Sequence, residues 1–300
     1  MSQNNTRAGI LLMIAAVFVF AVQDGVSRLL AEEYNVWMIV MIRYWFFALF
    51  VIAVAARSKG GIRAAARTSQ PVLQTFRGVL LIFEIVVTVY AFVVLGLIPT
   101  HALFASYPLM IAALSGPVLG EKVGPRRWAA IGVGFIGILI ILRPGLAVFA
   151  PEALIALLAA LLFAIYGLAT RYVAHRDSAA TSFFWTGVTG MVAITAIGAF
   201  YWEPMAREDW LWMGLLCITG ASGHYLLIKC YEQAEASAVQ PFAYFQLVFV
   251  SIIAISFFGE TTDLPTVIGA AIVVGAGLFT VWRERQVSRR STAASALRRS

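Results

Sequence analysis

The chain is written twice. Phe20-Ala21-Val22-Gln23-Asp24-Gly25-Val26-Ser27-Arg28 returns without a gap as Phe163-Ala164-Ile165-Tyr166-Gly167-Leu168-Ala169-Thr170-Arg171. An apolar run ending in Gly120-Glu121, followed by Pro125, returns as Gly259-Glu260, followed by Pro265. The offsets, 143 and 139 residues, are close to half of the 300-residue chain. Each copy holds five long apolar segments. Five is odd, so if every segment crosses a bilayer, the second copy lies upside down relative to the first. Inverted repeats of this kind build secondary transporters, with solute held near the midplane where the repeats meet.

Composition supports the membrane reading. Hydrophobic residues make up 61% and charged residues 12%, and the mean hydropathy is +0.86, whereas soluble domains are about half apolar and a quarter charged. The segments fall near 7–30, 35–56, 71–95, 97–119, 126–143, 151–173, 179–200, 209–231, 236–258 and 264–282. At about 18 to 24 residues each, they are long enough to span hydrocarbon as helices. The expected organisation is therefore an all-α membrane protein of ten helices. Residues 1–145 form the first repeat, 146–282 the second, and 283–300 a basic tail of disordered composition. Arg7 and the apolar stretch after it resemble a signal peptide, but no small-x-small site closes it, so it reads as a retained first helix. Cys217 and Cys230 lie thirteen residues apart in one helix, about 20 Å by rise, and cannot bridge each other.

The net charge of +7 suggests nucleic acid only until the charges are placed. Arg57, Lys59, Arg63, Arg67, Lys122, Arg126, Arg127, Arg171, Arg176, Lys229 and the tail arginines share one side with the termini. The other side holds Glu32, Glu33, Glu152, Glu203, Glu208, Asp209 and Asp263, with only Arg28, Arg143 and Arg207. By the positive-inside rule both termini are cytoplasmic, in a multi-pass protein of the inner membrane, with lipid and not nucleic acid as its surroundings. Six of the eight tryptophans fall at helix ends, as an aromatic belt requires.

Tyr107-Pro108-Leu109 through Val118-Leu119-Gly120-Glu121, then Ile131-Gly132-Val133-Gly134-Phe135-Ile136-Gly137, resembles the EamA repeat of the drug/metabolite transporter superfamily. Gln240-Pro241-Phe242-Ala243-Tyr244 to Phe258-Gly259-Glu260, then Gly269-Ala270-Ala271, has the same cadence. The resemblance covers roughly residues 8–282 and is strongest to the YddG-type amino-acid exporters. It implies two inverted five-helix halves and export of amino acids, aromatic ones included, or related metabolites. The second copy has no proline in register with Pro108, so roles are not copied between halves.

Charges deep in a bilayer face a partner or a watery cavity. Asp24, Arg43, Arg77, Glu84 and His224 qualify. Glu84 shares a stripe with Arg77, Leu81 and Thr88. Glu84 or Asp24 would attract a substrate ammonium or bind a coupling proton; the structural alternative is an ion pair such as Asp24 with Arg43. Pro108 beside Tyr107 breaks a helix and frees carbonyls. Gln240, Tyr244, Val248 and Ser251 share one face of the ninth segment, with Gln246 nearby. Tyr90, Tyr107, Tyr166 and Tyr244 offer rings to a flat solute, or simply pack. The expected cavity uses helices 1, 3, 4, 6, 8 and 9, with helices 5 and 10 as glycine-packed scaffolds.

Other motifs mislead. Gly132 to Gly137 fits the dinucleotide pattern GxGxxG, but inside an apolar helix rather than after a strand. Gly220-Ala221-Ser222-Gly223 matches the GxSG of intramembrane serine proteases, yet His224 lies about 200° around the helix from Ser222. Glu121 and Glu260 fall at helix ends, where capping is the plain explanation. No metal-ligand spacing, cofactor motif or Walker sequence is present. The expectation is a non-enzymatic transporter of a small amino-acid-like molecule, with a monomer compatible. Its alternatives are a permease for another solute, such as a cationic drug or nucleotide-sugar-like metabolite, and an intramembrane serine hydrolase.

Overall fold

The computed structural model describes residues 6–119, 124–142, 152–173, 176–233 and 242–297, and among them every regular element is helical. In chain order these are α1 (Thr6–Glu33), α2 (Val36–Arg57), α3 (Gly61–Ala66), α4 (Pro71–Leu95), α5 (Leu97–Phe104), α6 (Tyr107–Leu119), α7 (Pro125–Leu142), α8 (Ala153–Val173), α9 (Ala179–Gly198), α10 (Asp209–Gln233), α11 (Phe245–Phe258) and α12 (Leu264–Leu297). Five of them, α1, α2, α4, α8 and α9, are long and apolar enough to cross a membrane by themselves. Short α3 belongs to a connection, and α5 with α6 makes one crossing, which leaves ten.

Local chemistry sets the breaks. Asn35 caps α2 by accepting from the Trp37 amide at 2.9 Å. Gly96, at φ +92°, ends α4 and lets α5 begin at once. The expected single helix over 97–119 is two: it breaks at Ala105–Ser106, and Pro108 sits in the first turn of α6. Proline carries no amide proton to give the Phe104 carbonyl four residues back, so the helix cannot run through. In the ninth segment a turn at Tyr244 precedes α11. Gln240 lies outside the described residues. At the C-terminus α12 runs on through Leu297, so 283–297, expected to be irregular, is helical. No proline or glycine follows Gly277, and arginine, alanine and glutamine favour helix.

Contacts at the helix ends show the inversion directly. The C-terminal end of α1 meets the N-terminal end of α10, through Tyr34 and Asp209. The C-terminal end of α11 meets the N-terminal end of α5, through Glu260 and Leu97. At the opposite face, Gln74 near the start of α4 reaches Ser182 near the start of α9. Equivalent helices of the two halves therefore run in opposite directions. The packing repeats the symmetry: α1 on α10 is matched by α8 on α4, and α1 on α11 by α8 on α5 and α6. The two self-equivalent pairs are α2 with α9 and α7 with α12. One face of the bundle carries Glu32, Glu33, Glu203, Glu208 and Asp209; the other carries Arg57, Lys59, Arg63 and Arg67.

The exterior is apolar. Leu11, Leu49, Phe135, Leu211, Ile252 and Phe257 are among many large hydrophobics left uncovered, far beyond the patches a soluble monomer exposes. The α7–α12 pair packs through glycine. A Cβ on Gly137 would lie 2.7 Å from the Gly269 carbonyl, and one on Gly269 2.6 Å from that of Gly137. The glycines of the GxGxxG pattern thus sit in α7, where Gly137 meets α12 and Gly134 faces Leu109 and Ala276.

Candidate functional site

The buried polar residues converge where α1, α2, α4, α5 and α11 meet. Asp24 of α1 is 7% exposed. Its Oδ2 accepts from Gln246 Nε2 at 3.0 Å and lies 3.2 Å from His101 Nε2; Gln23 Nε2 is 3.5 Å from Oδ1. His101 stacks on Phe92, with centroids 5.3 Å apart. The structural alternative for Asp24 is an ion pair such as that with Arg43, but no Asp24 oxygen lies within 4 Å of a lysine or arginine nitrogen among the described residues. Histidine takes that place: His101, within α5, lies against α1.

Glu84, midway along α4, is also buried. Among the described residues its one hydrogen bond comes from the Thr88 hydroxyl, one turn away, at 2.7 Å. Arg43 of α2 is 4% exposed and lies across Gly220 of α10, where a Cβ would sit 2.6 Å from Nε. Asp24 and Glu84 both act electrostatically on Arg43. Helix 2, left out of the expected cavity, thus brings a buried charge within electrostatic reach of both acids.

An aromatic run leads from this cluster toward the basic face. His101 stands edge-on to Phe104, Phe104 packs on Tyr107 and Phe163, Tyr107 meets Phe163 at 4.9 Å, and Phe163 adjoins Tyr166. A cavity of about 20 Å³ lies among His101, Phe104, Tyr107, Pro108, Tyr244 and Gln246, room for about one water. His101 and Gln246, the two partners of Asp24 Oδ2, border it. Tyr244 borders it, with its hydroxyl against Gly277 of α12. Tyr90 does not join: it is 50% exposed on the outer surface, because it is six residues beyond Glu84 and so on the other side of α4. Val248 is likewise exposed. The turn at Tyr244 breaks the register that would have carried the 240–244 face into α11, and Gln246 points inward instead.

Arg77 is 1% exposed and fully occupied. It donates to Gln74 Oε1 at 2.9 Å, Tyr166 Oη at 3.2 Å, Thr170 Oγ1 at 3.3 Å, the Ser182 carbonyl at 2.5 Å and Thr186 Oγ1 at 2.8 Å. It ties α4 to α8 and α9 near the basic face and has no donor left for a ligand of any size. Beside it Asp177 accepts from Thr68, Gln74 and the Ser69 amide. Burial works against its charge, but these bonds outweigh burial and hold its carboxyl below the usual range. At the acidic face Tyr34 donates to Asp209 at 2.6 Å, which pushes the Tyr34 hydroxyl above its ordinary value. There too Glu260 accepts from the Leu97 and Ile98 amides at 2.7 and 2.9 Å and pairs with Arg28. It caps α5 from the other half of the protein.

His224 lies apart, between Phe20 and Phe47, with centroids 5.2 and 6.0 Å away. Ser222 donates to the Ile218 carbonyl of its own helix at 2.7 Å. The GxSG glycines have packing roles, Gly220 under Arg43 and Gly223 against Phe20. Sequence reasoning passed over His101 as a site residue, although an ionisable group inside an apolar span was signal enough.

The model of the EamA-like transporter family matches residues 7–143 and 150–282. An S-adenosylmethionine uptake transporter of Rickettsia prowazekii (strain Madrid E) is 27% identical over 282 residues, covering 93% of this chain and 94% of its own. A riboflavin transporter of Vibrio cholerae is 28% identical, covering 94% and 95%. The pseudopaline exporter CntI of Pseudomonas aeruginosa is 23% identical, covering 89% and 94%. A solved crystal structure shares the fold with a TM-score of 0.65 at 15% identity, over 90% of this chain and 96% of that one. These relatives are named for S-adenosylmethionine, riboflavin and pseudopaline. The amino-acid exporter expected from the YddG-type resemblance gives way to the alternative, a permease for another solute.

Proposed function

Because the chain belongs to the EamA-like transporter family, we propose that it is an inner-membrane secondary transporter for a cationic, nucleoside-bearing metabolite of the S-adenosylmethionine kind. One observation carries this reading. Asp24 and Glu84 are both buried, and among the described residues neither has a lysine or arginine nitrogen within 4 Å. Two acids buried in a low-dielectric interior favour a positive solute over a neutral or anionic one. The run Phe104, Tyr107, Phe163 and Tyr166 supplies faces for a flat heterocycle. S-adenosylmethionine, for which one relative is named, carries both the positive charge and the flat heterocycle, whereas riboflavin, for which another is named, carries only the flat ring system.

In this reading the acidic face is extracellular, the basic face is cytoplasmic and both termini are inside. Asp24, Glu84, Tyr107, Tyr166 and Gln246 serve the solute, with Pro108 providing the helix break. Arg77 holds the halves together, and His224 packs. Alternating access opens one end while the other stays tied, and the solute gradient sets the direction. The test is uptake of radiolabelled S-adenosylmethionine, riboflavin and phenylalanine into proteoliposomes. Saturable uptake of the first is expected; uptake of phenylalanine alone would refute the reading.

A further inference from the structure

Among the described residues, Arg43 is a strongly buried cation with neither a hydrogen-bond nor an ion-pair partner. It is 4% exposed, yet among the described residues it donates no hydrogen bond, and no carboxylate oxygen comes within 4 Å of it. The contrast with Arg77, equally buried and bonded on every nitrogen, is internal to the same bundle. A guanidinium held inside the bundle with little exposed surface and no partner is under-bonded, and an anion supplies the bonds it lacks. The protein makes room for the group on purpose: Gly220 leaves the space in which the Arg43 side chain lies.

The acids nearby are also incompletely matched. Glu84 has one hydroxyl partner, from its own helix, and Asp24 has an amide and an imidazole. Arg43, Asp24 and Glu84 lie close enough to act on one another electrostatically. One guanidinium and two carboxyl groups thus offer one place for an anion and two for cations, and a cation beside either carboxyl favours its charged form.

We propose that the chamber recognises a solute bearing one carboxylate and two positive charges, the carboxylate held by Arg43 and the positive centres by Asp24 and Glu84. This rests on the functional reading above and sharpens it. An α-amino acid whose side chain carries a sulfonium has this charge pattern, as S-adenosylmethionine does. A guanidinium matches a carboxylate with two parallel hydrogen bonds, which a lysine in its place would not supply. Riboflavin has no such group, and a nucleotide-sugar has the wrong sign.

Competition in proteoliposomes loaded with wild-type protein tests the pattern. Radiolabelled S-adenosylmethionine is chased with unlabelled S-adenosylmethionine, with its decarboxylated form, or with S-adenosylhomocysteine, which lacks the sulfonium. Each analogue should compete about tenfold or more weakly than the parent. Arg43→Gln should erase the penalty for the decarboxylated form and keep that for S-adenosylhomocysteine. Gly220→Ala, which displaces the arginine without removing it, should act in the same direction. A decarboxylated form that competes as well as the parent in wild type overturns this inference alone, and needs no variant to fold. Arg43→Gln lowering both ligands equally, in protein that stays monodisperse, overturns it too. Absence of any S-adenosylmethionine uptake by wild type overturns the functional reading and this inference with it.

Discussion

Tyr34 and Asp177 stand at equivalent positions of the two repeats, 143 residues apart, and each straps its own loop to the opposite half. Tyr34 donates to Asp209 at the acidic face; Asp177 accepts from Thr68, Ser69 and Gln74 at the basic face. The residue types differ and the proton runs the other way, but the mechanical role is shared. Both ends are tied across the repeats, consistent with the closed chamber between them.

The basic-face strap has a defined pH response. Asp177 has its carboxyl pKa held below the ordinary 3.8, so its contribution is present above that value and lost as pH falls through the lower folded one. Hydrogen exchange of the 68–74 segment should show equal protection at pH 5 and pH 7.5 in wild type. Asp177→Asn should raise exchange at both values; protection that fades between them in wild type would contradict the assignment.

At the other face, Glu260→Gln removes a charged cap from α5 and the partner of Arg28. A loss of about 1–2 kcal/mol from the tied state is expected. A cysteine replacing Ile98 should then react with a membrane-impermeant thiol reagent several-fold faster than in the parent background. Unchanged reactivity would show that the cap does not restrain this end.

Asp24→Asn and Glu84→Gln should each lower uptake of a cationic solute by about tenfold or more, while leaving the protein folded. The two effects should not simply add, since both acids face one solute. Full uptake in either variant removes that residue from the site.

Packing of α7 on α12 predicts a purely structural defect. Gly269→Val has no room against the Gly137 carbonyl, and the helices must part, at a cost of about 1–3 kcal/mol. Thermal unfolding in detergent should fall, with the solute preference of the surviving protein unchanged. A shifted preference would mean that this pair is more than scaffold.

Much of the architecture was legible because a bilayer simplifies the problem. Apolar length gives the crossings, the duplication gives their relation, and the odd repeat gives the inversion. The chamber was harder. Asp24, Glu84 and Gln246 could be read as costly residues in an apolar setting, but their partners could not. Whether Asp24 meets Arg43 or His101 depends on how α5 packs against α1, which the pattern of apolar residues does not reveal. Tyr90 looked like Tyr107 and Tyr166 in one dimension; only the rotation of α4 sends it to lipid. Arg43 and Arg77 were alike as letters, and hydrogen-bond saturation alone separates them.

Glu260 closing the first turn of α5 couples motion to solvent. If it withdraws, the amides of Leu97 and Ile98 cannot stay bare in hydrocarbon, so water has to wet that helix end as the gate parts. Opening the acidic face is then partly a hydration event. Its rate should slow in impermeant osmolyte, a sensitivity that closure by side-chain packing alone would not have.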